Sequence, residues 1–162
     1  MKVIVFQVKE YRCALRVEDV EELLPMAKLW KTPGMPAAME GMLNLGGRIL
    51  PVFRMDRIFK TQEVQLELYT PILLVKSDKG SVGFIIEKAV GVHTVEGKDV
   101  AAMKTSVSDD AIEAEITIKD QKVALLSIAK LLDREEIQKA KALGTEIETR
   151  KKEEELLKNI AA

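Results

Sequence analysis

Residues 41–53, Gly-Met-Leu-Asn-Leu-Gly-Gly-Arg-Ile-Leu-Pro-Val-Phe, constrain the fold more than any other stretch. Two apolar runs flank the Gly46-Gly47 pair. Adjacent residues that adopt positive φ without strain suit the tight turns whose twist matches that of the flanking strands. The segment therefore predicts a β-hairpin. Pro51 has no N–H to give to a sheet ladder, which predicts an edge or a bulge at that point. An apolar edge strand is a place where another protein docks.

Further strands are expected on both sides. Val3–Val8 and Arg12–Val17, separated by the polar Lys9-Glu10-Tyr11, predict a second hairpin. Ile72-Leu73-Leu74-Val75 is a continuous apolar run, buried on both faces if it is a strand. Asp78-Lys79-Gly80 then turns the chain into a partner strand over Ser81–Ile86. Ala89–Val95 adds another, with Gly91 as a bend or bulge. Ile112, Ala114, Ile116 and Ile118 alternate with Glu113, Glu115 and Thr117, the pattern of a half-buried strand with one wet face. Asp120-Gln121 returns it into Val123–Leu126. Between the first strands and the central hairpin, Val17, Val20, Leu23 and Leu24 fall at helical spacing with acids between them, which predicts a helical turn ended by Pro25. Thr32-Pro33-Gly34-Met35-Pro36 and Gln62–Leu68 read as loops. Short strands at this spacing predict antiparallel sheets curled into barrels or a sandwich. The helices that a parallel sheet needs for its crossovers are missing.

The last third changes character. Ile128, Leu131 and Leu132 share one helical face, with Asp133, Arg134, Glu135 and Glu136 opposite, so a helix is expected from Ser127. Gly144-Thr145 reads as a stop and a new cap, and Thr145 with Glu148 forms a capping-box pattern that opens a segment to Ile160. That segment is read as a solvated helical tail, the other reading being a coiled-coil arm. The expected organisation is one domain over residues 1–132 and a charged helical tail over 133–162.

Composition excludes several functions. With 25 basic and 26 acidic residues and 4% aromatics, the chain lacks both the basic face and the stacking surface of a nucleic-acid binder. Cys13 stands alone, so no intrachain disulfide is possible, and the N-terminal apolar run is too short for a signal-peptide core; a cytoplasmic protein with no membrane insertion is expected. Reactive groups are few. His93 is the single histidine, set in a strand pattern with no nucleophile or orienting carboxylate nearby in sequence. Cys13 alternates with apolar residues like a packed core thiol. One Cys and one His do not make a structural zinc site, and no phosphate-cradling glycine loop occurs. No metal, cofactor or catalytic residue is expected, and the protein is read as a non-enzyme.

Gly41-Met42-Leu43-Asn44-Leu45-Gly46-Gly47-Arg48-Ile49-Leu50-Pro51-Val52 resembles the signature of CheW-like domains, in which a glycine opens a strand, Asn-Leu-Arg-Gly turns it and an apolar-Pro-Val segment returns. Tyr11–Leu24 is similar to the family's second strand and first helical turn. Val82–Val92 is similar to its Gly-Phe-Leu-Val-Asp-x-Val-x-Gly-Val segment, and Val123–Leu132 to its closing strand and helix. Three positions depart from the pattern. Gly46 stands at the turn arginine, Arg54 at the acid after the apolar-Pro-Val segment, and Glu87 at an aspartate.

The resemblance implies two SH3-like five-stranded β-barrel subdomains sharing a hydrophobic core, mainly β, with the helical extension behind them. It implies a scaffold that couples chemoreceptor cytoplasmic tips to the regulatory domain of the histidine kinase CheA. Carried onto this chain, Val17 and Val20 fall on the kinase-facing segment, and packing inside the first barrel is their other reading. Glu22, Gly41 and Gly47 fall near the receptor groove, with Arg48 as the candidate substitute for the turn arginine; the glycines equally suit backbone geometry alone. A divergent adaptor for another histidine-kinase system and a small-ligand-binding barrel are the alternatives.

Overall fold

The computed structural model describes residues 1–78, 80–102 and 111–161. Strands β1 (Lys2–Val8) and β2 (Tyr11–Arg16) form the expected hairpin, in register from Val3↔Arg16 to Val8↔Tyr11. A 3-10 turn at Val17–Asp19 leads into β3 (Val20–Leu24), so the helical expectation holds for the first three residues only and is wrong for Val20–Leu24. Opposite β3 the register slips between Val20 and Glu22, and the bulged Glu21 breaks the period of two. A bulged strand thereby acquires apolar spacings that imitate one helical turn.

Next come β4 (Met39–Leu45) and β5 (Arg48–Arg54), joined by Gly46 at φ 60° and Gly47 at φ 92°, a turn with both central residues left-handed. The Gly47 N–H donates to Asn44 Oδ1 at 3.0 Å, which holds the turn from within. A single helical turn, α1 (Met55–Ile58), precedes the long loop to β6 (Ile72–Ser77). Then follow β7 (Gly80–Ile85), β8 (Lys88–Thr94), the short β9 (Val100–Ala102), β10 (Ile112–Ile118) and β11 (Gln121–Leu126). Lys79, the centre of the expected turn between β6 and β7, lies outside the described residues. The expected bulge near Gly91 is present, since Val5 pairs with Gly91 and Phe6 with Ala89. Helices α2 (Ile128–Leu132) and α3 (Glu135–Ala161) close the chain. Ser127 caps α2, its hydroxyl accepting from the Lys130 N–H.

The strands make two sheets, β8-β1-β2-β11-β10-β9 and β3-β6-β7-β5-β4. Among the described residues the first carries six strands rather than the expected five, with the three-residue β9 at one end. Pairing is antiparallel except at β2–β11 and β5–β7, one parallel contact in each sheet. Pro51 is expected at an edge or a bulge; β5 is paired on both sides, and the β4–β5 register slips just beyond it, between Gly41↔Val52 and Met39↔Phe53. The proline is tolerated because the parallel ladder to β7 begins only at Val52. On the β4 side its partner Met42 turns its N–H and C=O away, onto Trp30.

Alternation along the strands separates three apolar clusters. Val3, Val5, Ala14, Ile116, Val123 and Leu125 fill the first sheet's interior, and Leu43, Leu50, Val52, Ile72, Leu74 and Ile85 fill the second's. The opposite faces meet between the sheets, where Phe6, Leu15, Phe53, Leu73, Val75, Phe84 and Leu126 form the shared core. This is why Ile72–Val75 reads as apolar without a break: successive residues serve different cores. The protein is thus mainly β, with two SH3-like subdomains on one shared core and a C-terminal helix.

Helix α3 does not stop at Gly144. Ile137 and Ala140 are buried in the shared core, with Leu143 and Ile147 packed against it, so one stripe at three- and four-residue spacing docks the helix over β5. Gly144 sits on that stripe, where an added Cβ would lie 3.7 Å from Met42 Cε and 3.8 Å from the Ile49 carbonyl oxygen. The capping-box residues are engaged elsewhere. The Thr145 hydroxyl donates to the Lys141 carbonyl at 3.1 Å, and Glu148 Oε1 accepts the Ile49 N–H at 2.8 Å. From Thr149 to Ile160 the helix is exposed, Leu156, Leu157 and Ile160 included.

Candidate functional site

The segment Val17–Leu24 runs along one margin of the second sheet, because among the described residues β3 is a terminal strand. Val17 opens the 3-10 turn with its side chain outward, 37% exposed, whereas Val20 is half-buried against the shared core. Glu22 is exposed in β3. Its neighbour Glu21, set apart by the bulge, gathers polar groups from three strands. Ser81 Oγ on β7 donates to one of its oxygens, and Arg48 Nη2 at the start of β5 stands 3.3 Å from the other. The Ser81 hydrogen bond, helped by Arg48 and Lys76, holds the Glu21 carboxyl below its ordinary range. Val17, Val20 and Glu22 therefore lie on one stretch of chain, and the Arg48–Glu21 pair ties the Gly46-Gly47 hairpin to it.

Gly41 is not part of that surface. It is buried in β4, and a Cβ there would stand 2.7 Å from the Trp30 carbonyl oxygen and 2.9 Å from Leu29 Cβ. The close approach serves the paired hydrogen bonds between Trp30 and Met42, at 2.9 and 2.8 Å, that cover the β4 edge. Gly47 has open space around its Cα, so its requirement is the positive φ.

A family model described as the CheW-like domain matches residues 2–136. The chain belongs to the CheW-like domain family. A chemotaxis coupling adaptor is the role that this membership carries. The chemotaxis protein CheW of Bacillus subtilis is 25% identical over 142 residues, covering 86% of this chain and 91% of that protein. CheW of Treponema pallidum is 24% identical over 145 residues, 85% of each chain. The crystal structure of the scaffolding protein TtCheW from Thermoanaerobacter tengcongensis superposes with a TM-score of 0.75 at 22% identity, over 83% of this chain and 94% of that one, a likeness of fold.

Within the CheW-like frame, Arg54 is the departure that the structure explains. Its guanidinium is buried and forks onto Asp56, Nε to Oδ1 at 3.1 Å and Nη2 to Oδ2 at 2.8 Å. Asp56 also accepts the N–H groups of Val64 and Arg57, at 2.6 and 2.7 Å, while Arg54 Nη2 donates to the Val64 carbonyl at 2.6 Å. Arg54 and Asp56 together clamp the loop that follows α1. Burial alone would raise the Asp56 pKa; the Arg54 fork and the two N–H donors outweigh it and the carboxyl sits below its usual value. The sequence marks Arg54 as a departure, and the acid two positions on is the signal for its partner.

The other singled-out groups sit in structural settings. Cys13 is buried in the shared core, and His93 pairs across the ladder with Val3. Among the described residues no group of three or more His, Cys, Asp and Glu side chains could hold a metal ion. Among the same residues no helix is long and apolar enough to cross a membrane.

Proposed function

We propose that this chain is a non-enzymatic coupling adaptor that joins chemoreceptor cytoplasmic tips to the regulatory domain of the histidine kinase CheA. The observation that carries the reading is the family match across residues 2–136, a span that takes in both sheets. Residues 1–132 are the adaptor domain and 133–162 its tail. The work is mechanical: two rigid subdomains hold two docking faces at a fixed spacing, so a change at one partner is passed to the other through contacts. It takes place on the cytoplasmic side, where the adaptor is recruited to receptor arrays.

Val17 and Val20 are the kinase contact. Val17 supports this best, as an apolar side chain outward at the margin of a sheet, where pairing with another chain leaves no backbone group behind. Glu22, Gly47 and Arg48 carry the receptor contact, with Gly41 acting beneath it through backbone geometry. Arg48 takes over from the missing turn arginine by presenting its guanidinium beside the hairpin, oriented by Glu21.

Pull-down with a CheA regulatory domain and, separately, with a receptor cytoplasmic-tip fragment tests the reading. Both are expected to be retained, and retention of neither contradicts it. Gly46 supports a second reading, an adaptor of another histidine-kinase system, for which the chain would bind a kinase regulatory domain and ignore chemoreceptor tips. A small-ligand barrel is disfavoured because apolar side chains pack both sheet interiors.

A further inference from the structure

The first half of β5 lies ahead of the ladder to β7, and α3 covers it. The contact has three parts: the Ile49 N–H donating to Glu148 Oε1 at 2.8 Å, Gly144 passing close to Met42 and the Ile49 carbonyl, and Ile147 packed against the shared core. All three residues of α3 lie beyond residue 136, where the family match ends. Arg48 and Gly47, the hairpin residues of the receptor face, immediately precede the covered position. A crevice of about 240 Å³ remains between the helix and the starts of β5 and β7, walled by Arg48, Ser81, Thr145 and Glu148.

The stripe that holds the helix is short. After Ile147 its next positions are Lys151, Glu154 and Lys158, all exposed, so nothing apolar extends the grip. A strand N–H answered by a helix side chain is also a contact that any helix of the same pattern could make, a small residue followed by a carboxylate four positions later. We infer that α3 is a cis-acting occupant of the β5 edge, standing where a partner helix with that small-residue and carboxylate pattern docks, so that its undocking governs binding at the hairpin face. This rests on the receptor-facing reading of Gly47 and Arg48. A site competent only when α3 is away has its apparent affinity lowered by the fraction of time it is uncovered.

The test compares the full chain with its double variant Ile147→Asp/Glu148→Ala. Hydrogen exchange is read at the Ile49 amide, and titrations are made with a receptor cytoplasmic-tip fragment and with a CheA regulatory domain. Faster exchange at Ile49, tip affinity raised at least about fivefold and unchanged kinase affinity are expected. Faster exchange with equal or weaker tip binding overturns the inference, because α3 then stands clear of the partner or belongs to its site. Should Ile49 stay protected, Gly144→Leu forces the helix off Met42 and the Ile49 carbonyl; protection persisting there too overturns a detachable cover. Kinase binding without any tip binding by either protein instead contradicts the receptor-facing reading itself.

Discussion

At Gly41 the spacing to Trp30 and Leu29 leaves no room for a methyl group, since Cβ contacts of 2.7 and 2.9 Å fall inside the repulsive wall. One of the contacted atoms is backbone, so relief requires the Trp30–Met42 bridge to move. Gly41→Ala is expected to destabilise the protein by about 1–3 kcal/mol, as overpacking of a closed site does; urea unfolding measures it, and an unchanged midpoint would contradict the steric account. The Arg54–Asp56 pair makes a sharper case. Asp56→Ala leaves a buried guanidinium without its carboxylate, a loss of about 3–5 kcal/mol, read in the same assay. Its pH dependence has a definite sign. The native carboxyl titrates below the unfolded one, so its stabilisation is complete above the unfolded aspartate value of ~3.9 and is lost as pH falls through the lower native value. Wild type should lose stability over that acid range more steeply than Asp56→Asn, and parallel slopes would contradict the assignment.

Among the elements, those with self-contained signals were legible in the sequence. Gly46-Gly47 announces its hairpin because two positive φ angles demand residues without a Cβ. The Ala111–Ile118 alternation announces a strand because one face is wet. Two elements were not legible, for one shared reason: their conformation is decided by what they dock against. The bulge at Glu21 disguises β3 as a helical turn, and only pairing with Ile72–Val75 settles it. Gly144 looks like a stop, yet α3 passes through it because β5 and Met42 come close there. A helix-interior glycine costs about 1 kcal/mol against alanine, and here the docking of α3 over β5 offsets that cost. Ile137, fully buried on that docked face, should therefore lose about 2–5 kcal/mol on Ile137→Ala. Calorimetry would show it, and a loss under half a kilocalorie would mean that the helix adds little to the shared core.

At the scale of the whole molecule, the two sheets cannot move independently without opening the shared core, in which Phe6 and Leu15 of one meet Phe53, Leu73 and Phe84 of the other. That rigidity is what an adaptor needs, because a soft joint between its docking faces would absorb the movement it is meant to pass on. The family-level fold was readable from four ordered motifs, whereas the surroundings of the proposed docking residues were not readable to the same depth. Glu22 and Val17 prove to be outward, Val20 is shared with the core, and Gly41 is buried. The most direct test of the account is the affinity of the full chain for a CheA regulatory domain, measured by calorimetric titration beside Val17→Asp, a substitution at an exposed position that spares the fold. Saturable binding by wild type and at least about tenfold weakening, roughly 1.4 kcal/mol, in the variant are predicted. Absence of binding by wild type, or equal affinity in the two, would contradict it.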